Sequence, residues 1–87
     1  MEQTKIFSII IPFKNWSEDL DECLGHLRQQ TFDAYEVILL PDAKIQLPDV
    51  FKDLPIAIFP TGPINPALKR DLGAEKSMGR YLAFIDD

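Results

Sequence analysis

Residues 6–15, Ile6-Phe7-Ser8-Ile9-Ile10-Ile11-Pro12-Phe13-Lys14-Asn15, form an almost unbroken apolar run that passes directly into polar residues. Three further runs of the same kind occupy residues 37–40, 56–59 and 81–85. A strand with one face in water alternates apolar and polar residues, whereas a strand covered on both faces is apolar throughout. The four runs therefore predict a parallel sheet with both faces covered by other elements.

The segments between these strands predict two helices. Ser17 is a good helix cap, and the apolar residues after it recur at i, i+3, i+4 and i+7 up to about Gln30: Leu20, Cys23, Leu24 and Leu27. A second helix is expected to begin at Pro66, behind the cap Asn65, and to close at Gly79. Its inward face is expected to hold one of two sets: Leu68 and Leu72, or Ala67, Ala74 and Met78.

The order of these elements predicts the fold class. Strand, helix, strand, a short proline-bearing crossover, strand, helix and strand is typical of a three-layer α/β domain with a mostly parallel sheet. Right-handed crossovers then place the strands in the order 3-2-1-4. An antiparallel pairing of residues 37–40 with residues 56–59 would contradict this order.

Composition excludes several classes of function. The 87 residues carry a formal net charge of -5, which gives no electrostatic footprint for binding a nucleic acid. The single cysteine, Cys23, cannot form an internal disulfide and fits a reducing compartment. No apolar run reaches the roughly 18 residues that a membrane-spanning helix needs. We therefore expect a cytoplasmic chain, and leave open a membrane association through parts of a longer parent protein.

Polar residues follow the strands at their carboxyl ends, where parallel sheets bind ligands. Residues 12–15 follow the first strand, Asp42 follows the second, and residues 60–62 follow the third. Asp86 and Asp87 follow the fourth. Adjacent carboxylates at a strand end repel each other unless a cation compensates them, and their oxygens suit a divalent metal that carries a phosphorylated ligand.

Five blocks of the sequence, taken together, resemble the opening of a family 2 glycosyltransferase. That family has a strand ending in Pro-x-x-Asn, a Leu-x-x-Gln helix, a strand ending in Asp, an Ala-Arg-Asn-x-Gly helix, and a Gly-Glu-Tyr strand that reaches an acidic metal motif. The matching blocks cover nearly the whole chain and appear in order at residues 8–15, 24–32, 36–42, 69–73 and 79–87.

The resemblance implies a Rossmann-like GT-A fold in which residues 1–87 are the N-terminal, nucleotide-binding part of a single, truncated GT-A domain. It implies that Asp42 accepts a hydrogen bond from the base and that Asp86 contacts the ribose. Asp86 and Asp87 match the residues that coordinate Mg²⁺ or Mn²⁺. The other residues that match nucleotide-binding positions are Pro12, Phe13, Lys14, Asn15 and Arg70.

The implied activity is transfer of a sugar, with inversion, from a nucleotide-diphosphate sugar to a hydroxyl of an unknown saccharide, lipid or protein acceptor. The catalytic base is expected beyond Asp87, so the 87 residues alone are expected to be inactive and to self-associate through an uncovered fourth strand. Two alternatives stay open. One is a sugar nucleotidyltransferase-like domain, and the other is a non-catalytic interaction fragment.

The chain also departs from the family pattern at the expected base site, in the loop after the first strand and beside Arg70. Pro41 stands where many relatives have an acidic residue, and residues 43–44 replace the usual Gly-Ser. Lys14 replaces a common tyrosine, and Lys69 replaces a common alanine. As charged side chains, Lys14, Lys44 and Lys69 are expected to face solvent.

Overall fold

The computed structural model describes residues 6–30 and 34–85 and shows a four-stranded, all-parallel sheet with helices on both faces. The elements are β1 (Phe7–Pro12), α1 (Glu18–Arg28), β2 (Tyr35–Leu40), a 3₁₀ turn (Asp49–Phe51), β3 (Ile56–Ile58), α2 (Pro66–Lys76) and β4 (Tyr81–Phe84).

The strand order is β3-β2-β1-β4, so the predicted order and fold class are confirmed. Val37 lies opposite Ile56 in a parallel register, which excludes the antiparallel pairing of these strands. Phe7 lies opposite Tyr35 on one side and Tyr81 on the other, so β1 is an inner strand between β2 and β4. This architecture is consistent with part of a Rossmann-like GT-A domain.

The core lies on both faces of the central strands. All six residues of β2 are buried, and its alternate side chains enter two clusters. On the α1 face, Val37 and Leu39 pack with Leu20 and Leu24. On the α2 face, Ile38 and Leu40 pack with Ile10, Leu72 and Ala74.

β4 is uncovered, as expected of the fourth strand in the 87 residues alone, and is not covered on both faces, which its apolar run alone would predict. Tyr81 is 58% exposed and Phe84 is 46% exposed, although both belong to an apolar run like those of the buried strands. Helix α2 packs on β1 and β2, and β4 lies at the outer side of the sheet within the described residues. Exposure is therefore set by which elements lie above a strand, which its own sequence does not encode.

Local capping positions both helices as predicted. The Ser17 hydroxyl accepts a hydrogen bond of 3.1 Å from the Leu20 N–H at the start of α1. The Asn65 side-chain oxygen accepts one of 2.9 Å from the Leu68 N–H at the start of α2, with Pro66 in the first position. Each cap satisfies a backbone donor that the helix itself leaves unpaired.

The predicted end of α2 is wrong, and its predicted inward face is right only in part: Leu72 and Ala74 pack on the core, whereas Leu68 and Met78 do not. The helix ends at Lys76, three residues before Gly79, and Ser77 binds the Ala74 carbonyl there. Leu68 is 48% exposed and Met78 is 71% exposed. The face toward the sheet also contains the buried residues Lys69 and Gly73. A β-carbon added at Gly73 would meet Ile10 and Leu40, so a residue without a side chain lets the helix approach the sheet closely.

Among the described residues, no helix has both the length and the apolar character required to cross a bilayer.

Candidate functional site

A cleft of about 250 Å³ opens at the carboxyl edge of the sheet. The end of β1, the second residue after β2 and the start of α2 converge there, together with the loop that precedes α2. Its lining residues are Pro12, Phe13, Lys14, Asp42, Ile64, Pro66 and Lys69. The cleft therefore lies at the edge where ligands of parallel α/β sheets bind.

The backbone at Asp42 is fixed by the loop that follows β3. The Thr61 N–H donates a hydrogen bond of 2.9 Å to the Pro41 carbonyl, and the Gly62 N–H donates one of 2.8 Å to the Asp42 carbonyl. Gly62 has φ +80°, a left-handed conformation that glycine adopts without strain. These contacts hold the backbone of Pro41 and Asp42 in place.

Asp42 forms an ion pair with Lys69. The Lys69 Nζ lies 2.5 Å from the Asp42 Oδ1 and donates a second hydrogen bond, of 2.6 Å, to the Phe13 carbonyl. The Lys69 side chain is only 3% exposed, whereas the Asp42 side chain is 22% exposed. A buried ammonium is tolerated only when it is paired and hydrogen-bonded, and here both conditions are met.

The expectation that Lys69 faces solvent is therefore wrong, whereas Lys14 and Lys44 are exposed as predicted. A sequence signal for Lys69 existed. Lys69, Leu72, Gly73 and Lys76 stand at i, i+3, i+4 and i+7, the spacing of one helix face. An apolar Leu68 beside them favoured the wrong face.

The loop after β1 is anchored by aromatic packing on the α1 face. The Phe13 ring is buried and meets Trp16 edge-on, with the ring centroids 6.2 Å apart. Trp16 in turn stacks on Phe51 of the 3₁₀ turn at a centroid distance of 6.2 Å. Because the ring of Phe13 is held by these contacts, its carbonyl is presented to Lys69 from a fixed position.

The structure brings together four of the predicted site residues. Pro12, Phe13, Lys14 and Asp42 all line the cleft. Within the described residues, the exposed Asn15 and the half-buried Arg70 are not part of this lining. Asp86 and Asp87 lie outside the described residues. The nucleotide-binding and metal-binding roles of all eight residues stay predictions.

Comparison with known proteins identifies the family. The sequence model described as Glycosyl transferase family 2 matches residues 8–87, which is nearly the whole chain. The chain belongs to glycosyl transferase family 2. The match includes every strand and helix that builds the cleft.

Two curated relatives of this family 2 chain are also named as glycosyltransferases. The uncharacterized glycosyltransferase YibD of Escherichia coli (strain K12) is 27% identical over 99% of this chain and 27% of its own length. An uncharacterized glycosyltransferase of Rickettsia bellii (strain RML369-C) is 32% identical over 91% of this chain and 12% of its own length. The chain thus spans about a quarter and about an eighth of these relatives.

The metal ligands expected of this family 2 chain, Asp86 and Asp87, follow directly on the last described residue. Among residues 6–30 and 34–85, no group of three or more His, Cys, Asp or Glu side chains is arranged to hold a metal ion. The last described residue, Ile85, still pairs with β1, its N–H donating to the Ile10 carbonyl at 3.0 Å. Two adjacent carboxylates offer the oxygen ligands that Mg²⁺ and Mn²⁺ prefer.

Proposed function

We propose that this chain supplies the donor-binding part of a glycosyltransferase that transfers a sugar from a nucleotide-diphosphate sugar to an acceptor hydroxyl. The observation that carries the proposal is the cleft at the carboxyl edge, which combines Asp42 with the loop after β1 in a chain of family 2. Family membership favours glycosyl transfer over the sugar nucleotidyltransferase alternative.

The nucleoside is proposed to enter the cleft with its base toward Asp42. A carboxylate only accepts hydrogen bonds, so Asp42 would select a base edge that carries an N–H group. Pro12, the backbone of Phe13 and the rest of the loop through Asn15 would lie against the nucleoside, and Asn15 would hold the loop or contact the ligand. These roles need no movement of the backbone that the contacts of Thr61 and Gly62 already fix.

The charges of the cleft favour an anionic ligand. Its lining contains two lysines and one aspartate, although the chain as a whole carries a net charge of -5. Lys14 is exposed at the rim, where a solvated cation can meet a phosphate. Arg70 is proposed to lie near the diphosphate of the donor, with Asp86 on the ribose.

A divalent metal is proposed to be held by Asp86 and Asp87, where it would neutralise charge on the diphosphate leaving group. The acceptor hydroxyl is proposed to attack with inversion after losing its proton to a carboxylate. That carboxylate is proposed to belong to a part of the protein other than these 87 residues. The isolated chain is accordingly proposed to bind a nucleotide without turnover.

Nuclear magnetic resonance titration of the labelled chain tests the location of the site. Uridine, guanosine and cytidine diphosphates are each added in a separate titration. Inorganic pyrophosphate, which lacks the nucleoside, is titrated alone as the reference ligand. We expect a dissociation constant no tighter than about 1 mM for the nucleotide that fits, since an open cleft encloses little of the ligand. Amide signals of Phe13, Asp42 and Gly62 should shift, while those of Met78 and Gly79 at the opposite edge should not. Shifts confined to the opposite edge would contradict the proposal.

A further inference from the structure

Lys69 occupies a position that is unfavourable for a cation in two respects. It stands in the first turns of α2, where the helix dipole favours negative charge, and its side chain is 3% exposed. Removing a charge from water costs several kcal/mol unless partners compensate it. The only compensation within the described residues comes from the Phe13 carbonyl and the Asp42 carboxylate. One side chain therefore connects the ends of β1 and β2 to α2.

The hydrogen bonds of this ammonium orient Asp42. A carboxylate has two oxygens, and Lys69 engages Oδ1. Asp42 and Lys69 both line the cleft, and the Asp42 side chain keeps 22% of its surface exposed. The ion pair thus fixes Oδ1 and leaves the second carboxylate oxygen of Asp42 to accept a hydrogen bond from a ligand. Without Lys69, the Asp42 side chain would rotate among several rotamers, and its free carboxylate oxygen would occupy several positions.

We propose that Lys69 is a positioning residue for the nucleoside, acting through Asp42 rather than by touching the ligand. The inference rests on the proposed function, because it assumes that Asp42 meets the base. Lys69 pre-orders the acceptor oxygen and balances the charge of Asp42, so the cleft receives an anionic nucleotide without an unpaired carboxylate beside it. Preorganisation of this kind raises affinity by lowering the ordering cost of binding.

This role differs measurably from a purely structural ion pair and from direct phosphate binding. If the ion pair served only the fold, breaking it would weaken the binding of every ligand to the same extent, because the folded fraction of the protein would fall. A cation that touches phosphate would lose affinity for pyrophosphate as well as for nucleotides. A positioning residue loses affinity only for ligands that carry the base, and only while Asp42 is present.

The test is a double-mutant cycle in the full chain with Lys69→Met, Asp42→Asn and the two combined, and with Lys76→Met as the matched control. Lys76 stands on the same helix face, with its ammonium 5.4 Å from the centre of the Phe59 ring. Affinities for uridine diphosphate, guanosine diphosphate and inorganic pyrophosphate are measured by the titration described above. Thermal unfolding of each variant is recorded alongside.

We expect Lys69→Met to weaken binding of the preferred nucleoside diphosphate by about tenfold and to change pyrophosphate binding less than about twofold. In the Asp42→Asn background, Lys69→Met should change nucleotide binding less than about twofold, since interacting residues are not additive. Lys76→Met should leave all affinities unchanged. Equal losses for pyrophosphate and nucleotide, or the same loss in both backgrounds, would overturn the inference.

Two further outcomes are interpretable. If Lys69→Met does not fold, the comparison of Asp42→Asn with the combined variant still decides. The combined variant contains no buried charge, and in Asp42→Asn the Lys69 ammonium keeps the Phe13 carbonyl and the side-chain amide oxygen as hydrogen-bond acceptors. A further loss of nucleotide affinity in the combined variant would overturn the inference. If Asp42→Asn weakens nucleotide binding while Lys69→Met does not, the inference on Lys69 fails and the proposed function stands. If Asp42→Asn does not change nucleotide affinity, the proposed contact between Asp42 and the base is wrong, and the inference on Lys69, which rests on it, is wrong as well.

Discussion

The Ser8 hydroxyl donates a hydrogen bond of 2.6 Å to the Glu36 carboxylate on the sheet face that α2 covers. The same carboxylate accepts the Met78 N–H at 2.5 Å, and the Ser8 oxygen accepts the Gly79 N–H at 2.8 Å. Ser8 is fully buried and Glu36 is 8% exposed. These two side chains therefore fix the segment that leads from α2 into β4, and with it the start of the strand that precedes the acidic pair.

Replacing Ser8 by alanine should lower the free energy of unfolding by about 1–3 kcal/mol. The change removes one donor from a buried carboxylate and one acceptor from the Gly79 N–H, and unsatisfied buried groups cost this much. Urea denaturation followed by circular dichroism measures it. The exposed Glu75→Ala serves as the control and should stay within about 0.5 kcal/mol. An unchanged midpoint for Ser8→Ala would show that the contact does not stabilise the fold.

Replacing Gly79 by alanine should also destabilise the chain, by about 1–3 kcal/mol. A β-carbon there would lie 2.5 Å from the Ser8 Oγ and 2.6 Å from the Ser8 backbone nitrogen, which cannot move aside. Gly25 is the matched control, since a β-carbon added in that helix meets nothing within 4 Å. Gly25→Ala should raise stability by up to about 1 kcal/mol because alanine favours helices. If both substitutions changed the free energy of unfolding in the same direction, the packing described at Gly79 would be contradicted.

The sequence allows the sheet and the helix starts to be predicted because their determinants are local. Ser17 and Asn65 each cap a backbone donor three residues ahead, and the apolar runs mark the strands directly. The strand-end rule likewise places Pro12 and Asp42 at one edge, and the structure places both in one cleft. Their ligand contacts are a separate matter and stay predictions.

What the sequence does not reveal depends on contacts between distant residues. Lys69 and Asp42 are 27 positions apart, and Ser8 and Glu36 are 28 apart. A pattern that treats charged side chains as exposed cannot detect that Lys69 and Glu36 are buried against these distant partners. The exposure of β4 does not follow from its own apolar run, which does not state which element covers the strand.

Alkaline pH should reduce stability through Tyr35. Burial, with a smaller contribution from the charge of Asp53, raises the pKa of Tyr35 above its usual value of 10.0. As pH rises, the unfolded chain therefore loses the phenolic proton before the folded chain does. The contribution of protonated Tyr35 to the free energy of unfolding is complete below pH 10 and is lost as pH rises through the pKa of the folded state. Denaturation midpoints between pH 8 and about 11.5 measure it. Tyr35→Phe should flatten the decline, and an equal slope in both proteins would contradict this account.

The chain by itself is predicted to self-associate through β4. Tyr81, Leu82 and Phe84 are each more than 40% exposed, and an exposed strand with apolar side chains pairs readily with a second copy. Light scattering at increasing concentration should show a mass above 9.9 kDa, and Phe84→Lys should reduce it. Val50→Lys places the same charge on an exposed apolar residue of the 3₁₀ turn and should have no effect. A stable monomer at high concentration would contradict the prediction.

The most direct test of the donor site is calorimetric titration of the chain with its preferred nucleoside diphosphate, with and without Mn²⁺. Asp42→Ala should weaken metal-free binding of the nucleotide by about tenfold, because the proposed contact of Asp42 is to the base. It should not change the factor by which Mn²⁺ raises the affinity. Asp87→Ala should keep the metal-free affinity and lose that gain, while Glu75→Ala should change neither. Metal-free binding that is unaffected by Asp42→Ala, together with a Mn²⁺ gain that survives Asp87→Ala, would contradict the placement of the donor at this edge of the sheet.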